Sequence, residues 1–198
     1  MRKIFTILYL FFLCNCFGQS VEEINDVKKI NNRLGISDIL FDKEFRLYKS
    51  HAITSSTELF RMFYDDNKIW HAYLYHYRSD QETYTVTKLS SVKDLDFIWL
   101  QLFAFYIEKL PNIKDIAYKF NDTKVVSEKG QYYLQTTVST ISDGTSYKAY
   151  FKFKKEQHII DFTNYKSYLK RFPEVDELIA YQKIMALISN NFGIWEEE

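Results

Sequence analysis

Alternating apolar and polar positions between residues 44 and 89 predict a series of β-strands. Short polar clusters, such as Asp65-Asp66-Asn67, separate segments that are rich in aromatic and branched side chains. The predicted strands cover residues 45–53, 59–64, 69–78 and 83–89. Connections this short favour an antiparallel meander of four strands.

Helical spacing of apolar positions predicts a helix on each side of this meander. The first covers residues 20–34, where Ser20 and Glu23 form a capping-box pair and Gly35 takes the place of a C-terminal cap. The second covers residues 91–110, the most apolar stretch after the N-terminus. Charged and polar residues interrupt this second run, which indicates a buried helix and not a membrane span.

A second group of strands is expected in the last third of the chain. Residues 132–141 and 146–154 flank the dipeptide Asp143-Gly144, which favours the positive φ angles of a tight turn. These two segments are therefore predicted to form a hairpin. Residues 158–162 are predicted to add a third strand beside it.

The C-terminal part is predicted to be helical. Residues 163–172 suggest a short helix, and Pro173 fits the first position of a longer one that ends before Gly193. Together the elements predict an α+β fold, in which an antiparallel sheet, made of the four-strand meander plus a C-terminal hairpin and strand, packs against two to three helices. No internal repeat or Gly/Pro-rich linker divides residues 19–198, so one domain is expected there.

The N-terminus has the pattern of a cleavable export signal. Arg2 and Lys3 are followed by ten uncharged residues, 4–13, which is too short a run to span a bilayer. Small residues favour cleavage between Gly18 and Gln19, giving a signal peptide over residues 1–18. The sequence Phe17-Gly18-Gln19 also resembles export signals that are common among Bacteroidetes.

A lipid anchor is the alternative interpretation of the same segment. Leu13-Cys14-Asn15-Cys16 resembles a lipobox, in which Cys16 would carry the lipid and tether the domain to a membrane surface. The predicted location is accordingly the periplasm or the exterior, with a membrane-anchored lipoprotein as the other possibility. Cleavage after Gly18 would remove both cysteines, so under that first interpretation the mature domain would contain no thiol and no disulfide.

Composition narrows the class of partner. The chain has 26 Lys and Arg and 26 Asp and Glu, and loss of Arg2 and Lys3 with the signal leaves a slight acidic excess. A nucleic-acid partner, which would require a basic face, is therefore not expected. Hydrophobic residues make up 46% of the chain and aromatic residues 18%, which is enough to build a core without disulfides.

Motifs for catalysis or cofactor binding are not found in the sequence. The four histidines lack metal-ligand spacing, and His71 and His76 would point to opposite faces of one strand. The nucleophile-elbow pattern G-x-S-x-G is missing, and the glycines are too far apart for a phosphate-binding loop. No catalytic residue, metal or cofactor is predicted.

One strand suggests a binding surface. Alternation places His71, Tyr73, Tyr75 and Tyr77 on one face of residues 69–77. If this face were open, the tyrosine rings would form a platform that can stack on sugars or contact a protein. If helices covered it, the same rings would belong to the core.

Three functions are consistent with the sequence. The first is a non-catalytic binding or interaction module of the bacterial envelope or exterior, expected to be a monomer and to bind a protein or a glycan. The second is a secreted hydrolase whose active site is assembled only by the fold. The third is a carrier of an apolar small ligand, with a cavity between the sheet and the helix over residues 91–110.

Overall fold

Six antiparallel strands form the main sheet of this computed structural model, which describes residues 27–36, 41–51, 56–78, 80, 83–141 and 144–195. The chain divides into two units, residues 1–40 and 41–198. In the first unit, residues 27–33 are helical (α1), and Gly35 follows with a φ of 63°, as expected of a C-terminal cap.

Several predicted features of the N-terminus lie outside the described residues. They are the capping residues Ser20 and Glu23 and the export and lipidation residues Cys16, Gly18 and Gln19. Within the described residues, no helix is both long enough and apolar enough to cross a membrane.

The second unit contains all eight described strands. They are β1 (Lys43–His51), β2 (Ser56–Tyr64), β3 (Trp70–Arg78), β4 (Tyr84–Lys88), β5 (Asp122–Glu128), β6 (Gln131–Thr137), β7 (Thr145–Phe153) and β8 (Glu156–Asp161). The main sheet has the order β4-β3-β2-β1-β7-β8, while β5 and β6 form a separate two-stranded sheet. The predicted α+β class, the four-strand meander and the last strand beside β7 are thus confirmed.

The predicted hairpin between residues 132–141 and 146–154 is wrong. Strand β6 pairs with β5, which the sequence pattern did not predict, and β7 pairs with β1 and β8. Lys129 and Gly130 connect β5 to β6 with φ angles of 53° and 79°, and a type I′ hairpin turn requires positive values at both of these positions. The β1–β7 pairing joins segments about 100 residues apart, so no local pattern could indicate it.

Three further helices and one 3₁₀ helix complete the second unit. They are α2 (Leu95–Ala104), the 3₁₀ helix (Ile113–Phe120), α3 (Tyr165–Arg171) and α4 (Asp176–Phe192). Helix α2 is shorter than predicted, because Tyr106 takes a left-handed φ of 57° and turns the chain. Helix α4 begins three residues after Pro173, so the prediction of proline at its first position is also wrong.

The core lies between one face of the main sheet and the helices. The Trp99 ring of α2 stacks on Phe151 with centroids 4.8 Å apart, and Phe192 of α4 lies 4.8 Å from Phe60. Burying one such side chain contributes about 2 kcal/mol. Rings in direct contact occupy the space between α2 and the sheet, so the apolar-carrier hypothesis gains no supporting observation there.

Candidate functional site

The four predicted binding residues lie on β3 and share one face of the sheet, opposite to the face that packs against α2 and α4. Tyr75 and Tyr77 are only 8% and 9% exposed, whereas His71 and Tyr73 are half-buried. A stacking platform needs ring faces that a ligand can reach. The rings therefore do not form an open surface along the whole strand, and a binding role for this set stays a prediction.

His71 is held in place by the turn between β2 and β3. Its Nε2 lies 2.9 Å from Oδ2 of Asp65, and its ring stacks on Phe63 with centroids 5.1 Å apart. The Ile69 N–H donates to Oδ1 of Asp65 at 2.8 Å. The Ile69 hydrogen bond and then the His71 contact lower the pKa of Asp65. These contacts fix the turn, which is a structural role for His71.

A buried ionic cluster lies on the same face, on β1 and β2. Glu44 Oε1 accepts hydrogen bonds from Nε of Arg46 and Nε of Arg61, both at 2.7 Å. Glu44 and Arg46 are fully buried, and the Arg61 guanidinium lies 4.3 Å from the Phe63 ring centroid. Desolvating three charges is costly, so their mutual pairing is what keeps this cluster in the fold.

A cleft opens at one end of the sheet, where β1 ends, β2 begins and β3 ends. Its volume is about 450 Å³. We call it the polar cleft; its lining residues are His51, Ser56, Thr57, Glu58, His76, Tyr77 and Arg78. Clefts of this size commonly hold small molecules.

The position of the polar cleft follows from the register of three strands. Lys49, Glu58 and His76 face one another in one row across β1, β2 and β3. These side chains lie on the helix-facing side of the sheet, where the positions further along each strand are apolar. Each strand thus changes from core-forming to polar residues at the same level of the sheet.

Glu58 is the central charged group of this row. Its Oε1 lies 3.1 Å from Nδ1 of His76, and its Oε2 lies 3.6 Å from Nζ of Lys49. The Lys49 ammonium also lies 5.6 Å from the ring centroid of Trp195, a residue that follows α4 in the chain. The carboxylate therefore fixes the orientation of one imidazole at the opening of the cleft.

A second row contains the outermost lining residues. His51, Ser56 and Arg78 face one another across the same three strands. Nε and Nη2 of Arg78 donate to the two carboxylate oxygens of Asp80 at 3.1 and 2.9 Å. This pairing raises the pKa of Arg78 and lowers that of Asp80. The lining thus contains one guanidinium group, two imidazoles and the hydroxyl groups of Ser56, Thr57 and Tyr77.

His158, the remaining histidine, lies on β8, on the face of the sheet that packs against the core. Its Nε2 lies 2.6 Å from the carbonyl oxygen of Leu110, in the segment before the 3₁₀ helix. His71 and His76 lie on opposite faces of β3, as alternation predicts. Among residues that the structure describes, no three His, Cys, Asp or Glu side chains come together in a way that could hold a metal ion.

The polar cleft was not predicted from the sequence, although a signal for it exists there. Helix-facing positions of β1 change from Leu47 to Lys49, and those of β3 change from Leu74 to His76. Such a change becomes meaningful only when the register aligns the strands.

No family model matches the chain, and neither the curated proteins nor the solved structures contain a match.

Proposed function

We propose that the chain is an exported, non-catalytic binding module whose polar cleft holds a small carboxylated sugar. The observation that carries this proposal is the gathering of Arg78, His51 and His76 around one cleft of about 450 Å³. Export is supported by the N-terminal sequence. The binding role is supported by the chemistry of the lining.

The Arg78 guanidinium is the group that selects a carboxylate. A guanidinium binds a carboxylate through two parallel hydrogen bonds, as Arg78 does with Asp80. Both partners are largely solvent-exposed, with 54% and 56% of their side-chain surface accessible. Exposed pairs contribute little to stability, so a ligand carboxylate can replace Asp80 at small cost.

The other lining groups suit a polyhydroxylated ligand. The His51 imidazole and the Ser56 hydroxyl lie beside Arg78 in the same row, and each can exchange hydrogen bonds with sugar hydroxyls. Glu58 holds His76 on the adjacent row, so one more polar group is already oriented. A monosaccharide with one carboxylate can bind the polar groups of both rows through its hydroxyl groups and Arg78 through its carboxylate. A neutral sugar offers no carboxylate, so Arg78 stays paired with Asp80.

The test is a titration with glucuronate, with glucose as the neutral probe. Wild-type protein is expected to bind glucuronate more tightly than glucose, and Arg78→Ala to weaken glucuronate binding about tenfold, because a charge-assisted hydrogen-bond pair is lost. Asp80→Ala is expected to strengthen binding, since the competing carboxylate is gone. Isothermal titration calorimetry measures these four dissociation constants.

Arg171→Ala is the matched control, because Arg171 is an exposed arginine of α3 outside the polar cleft. It should bind glucuronate as the wild type does. Equal affinity for glucose and glucuronate, or an Arg78→Ala protein with unchanged affinity, would contradict the proposal.

A hydrolase is the second candidate function, and the contact between His76 and Glu58 favours it. A carboxylate that holds one ring nitrogen leaves the other to accept a proton from a hydroxyl such as that of Ser56. The two functions differ in one result. A hydrolase turns over an ester substrate and loses this activity in His76→Ala, whereas a binding module leaves the ester unchanged.

A further inference from the structure

The β5–β6 hairpin extends away from the core of the second unit. Every residue of β6 is exposed, and on β5 only Val126 is partly buried. Within the part of the chain that the structure describes, β5 and β6 pair only with each other. An isolated two-stranded sheet is marginally stable in water, so this hairpin gains from additional strands.

Strand β6 lacks the residues that usually protect an open edge. Residues 131–141 contain no Asp, Glu, Lys, Arg or Pro. The edge strands of the main sheet, in contrast, carry Lys88 on β4 and Glu156 and Asp161 on β8. Charged residues and proline on edge strands prevent pairing with another chain. The outer edge of β6 is thus a site where another strand can add.

One face of the hairpin is also apolar and exposed. Val125 and Leu134 are directly opposite each other and are 68% and 70% exposed. Tyr132 lies on the same face, next along β6, and is also largely exposed. Water-exposed side chains of this size, gathered on one face, indicate a surface that another molecule covers.

We propose that β6 is a dimerisation edge, on which a second copy of this chain adds its own β6 in antiparallel orientation about Leu134. The resulting sheet has the order β5-β6-β6-β5. In this register Tyr132 faces Thr136 of the second copy, and Leu134 faces Leu134 of the second copy. No charged side chain meets another across the pair, and the two apolar faces become one.

The backbone direction agrees with this register. In a two-residue hairpin the residues that flank the turn, here Glu128 and Gln131, form a hydrogen-bonded pair. Alternation then directs the N–H and C=O groups of Tyr132, Leu134 and Thr136 toward the free edge. These are the residues that the proposed pairing uses.

The other edge of the hairpin is a poorer site for a second copy. Antiparallel pairing of two β5 strands about Val125 would place Asp122 directly opposite Glu128 of the second copy, and it would do so twice. Like charges that face each other across strands destabilise the pair. In this register, charge therefore disfavours β5 as the edge for self-association, whereas β6 carries no charged residue.

The test is the molar mass of the purified protein by analytical ultracentrifugation over a range of concentrations. Wild type is expected to form a dimer, and Leu134→Lys to be a monomer, because two ammonium groups would meet at the centre of the pair. Val125→Lys is the matched control: it adds the same charge at an equally exposed position of the same face, but on β5, and it should still dimerise. Circular dichroism confirms that each variant is folded.

A charge-pair experiment tests the register. Tyr132→Glu and Thr136→Lys each introduce one charge at the positions that face each other in the proposed dimer. A mixture of the two variants is expected to form a heterodimer more tightly than either variant forms a homodimer. A monomeric wild type at all concentrations, a Leu134→Lys protein that still dimerises, or a mixture without this preference would overturn the proposal.

Discussion

The carboxylate of Glu44 connects two arginines within the sheet. Arg46 lies two residues after Glu44 on β1, and Arg61 lies on β2. The Nε atom of each arginine is 2.7 Å from Oε1 of Glu44. Removing one member of a buried ion cluster leaves the other charges desolvated without compensation. Glu44 is therefore a residue whose charge, more than its volume, supports the sheet.

Glu44→Gln is expected to lower the free energy of unfolding by about 3 kcal/mol, because it removes the negative charge and keeps the shape of the side chain. Urea unfolding measures the change. Glu58→Gln is the control: the same substitution acts on a partly exposed carboxylate of the polar cleft and should cost less than about 1 kcal/mol. Equal losses in both variants would contradict this role for Glu44.

The turn between β2 and β3 shows how one element is fixed by a polar side chain. Asp65 accepts the Ile69 N–H and contacts His71, so its oxygens tie the turn to the first residues of β3. Both contacts favour the ionised carboxylate and lower its pKa below the ordinary value of 3.8. The sequence predicted a turn at residues 65–67 without indicating this contact.

This lowered pKa makes the stabilisation by Asp65 depend on pH. The contribution is complete above the ordinary pKa of the carboxyl and is lost as the pH falls through the lower pKa of the folded state. Wild type is therefore expected to be more stable than Asp65→Asn at neutral pH, with the difference shrinking as the pH falls below about 4. Thermal unfolding at a series of pH values measures it.

Asp66→Asn is the control for this experiment, because Asp66 is the exposed neighbour in the same turn. It should follow the wild type across the same pH range. A constant difference between Asp65→Asn and wild type at every pH would show that the carboxylate charge does not act in the turn.

At the scale of the whole molecule, export would decide in which compartment the polar cleft meets its ligand and the β6 edge meets a second copy of the chain. Intact-mass spectrometry of the protein purified from its source organism is expected to give a chain that begins at Gln19, because the small residue Gly18 precedes the cleavage site. A diacylated chain beginning at Cys16 would instead establish the lipid anchor. Recovery of the chain with Met1 or Arg2 still attached would contradict export.

The polar cleft illustrates why the site could not be predicted although its strands were. Strands β1 to β4 follow from two-residue alternation and from the polar turns between them, which are local properties. The cleft needs the level at which Lys49, Glu58 and His76 meet, and this level is set by strand register. The predicted set on β3 used the alternation of one strand alone, and this pattern does not show which face remains accessible.

By itself, the sequence determined the α+β class, the meander and the last strand, because side-chain alternation, helical spacing and turn residues act between near neighbours. Only the tertiary structure decided that β7 pairs with β1, that β6 pairs with β5, and that α2 ends at Ala104. Pairing over long separations depends on which apolar faces can be buried together. That choice involves the whole chain, so no local segment contains it.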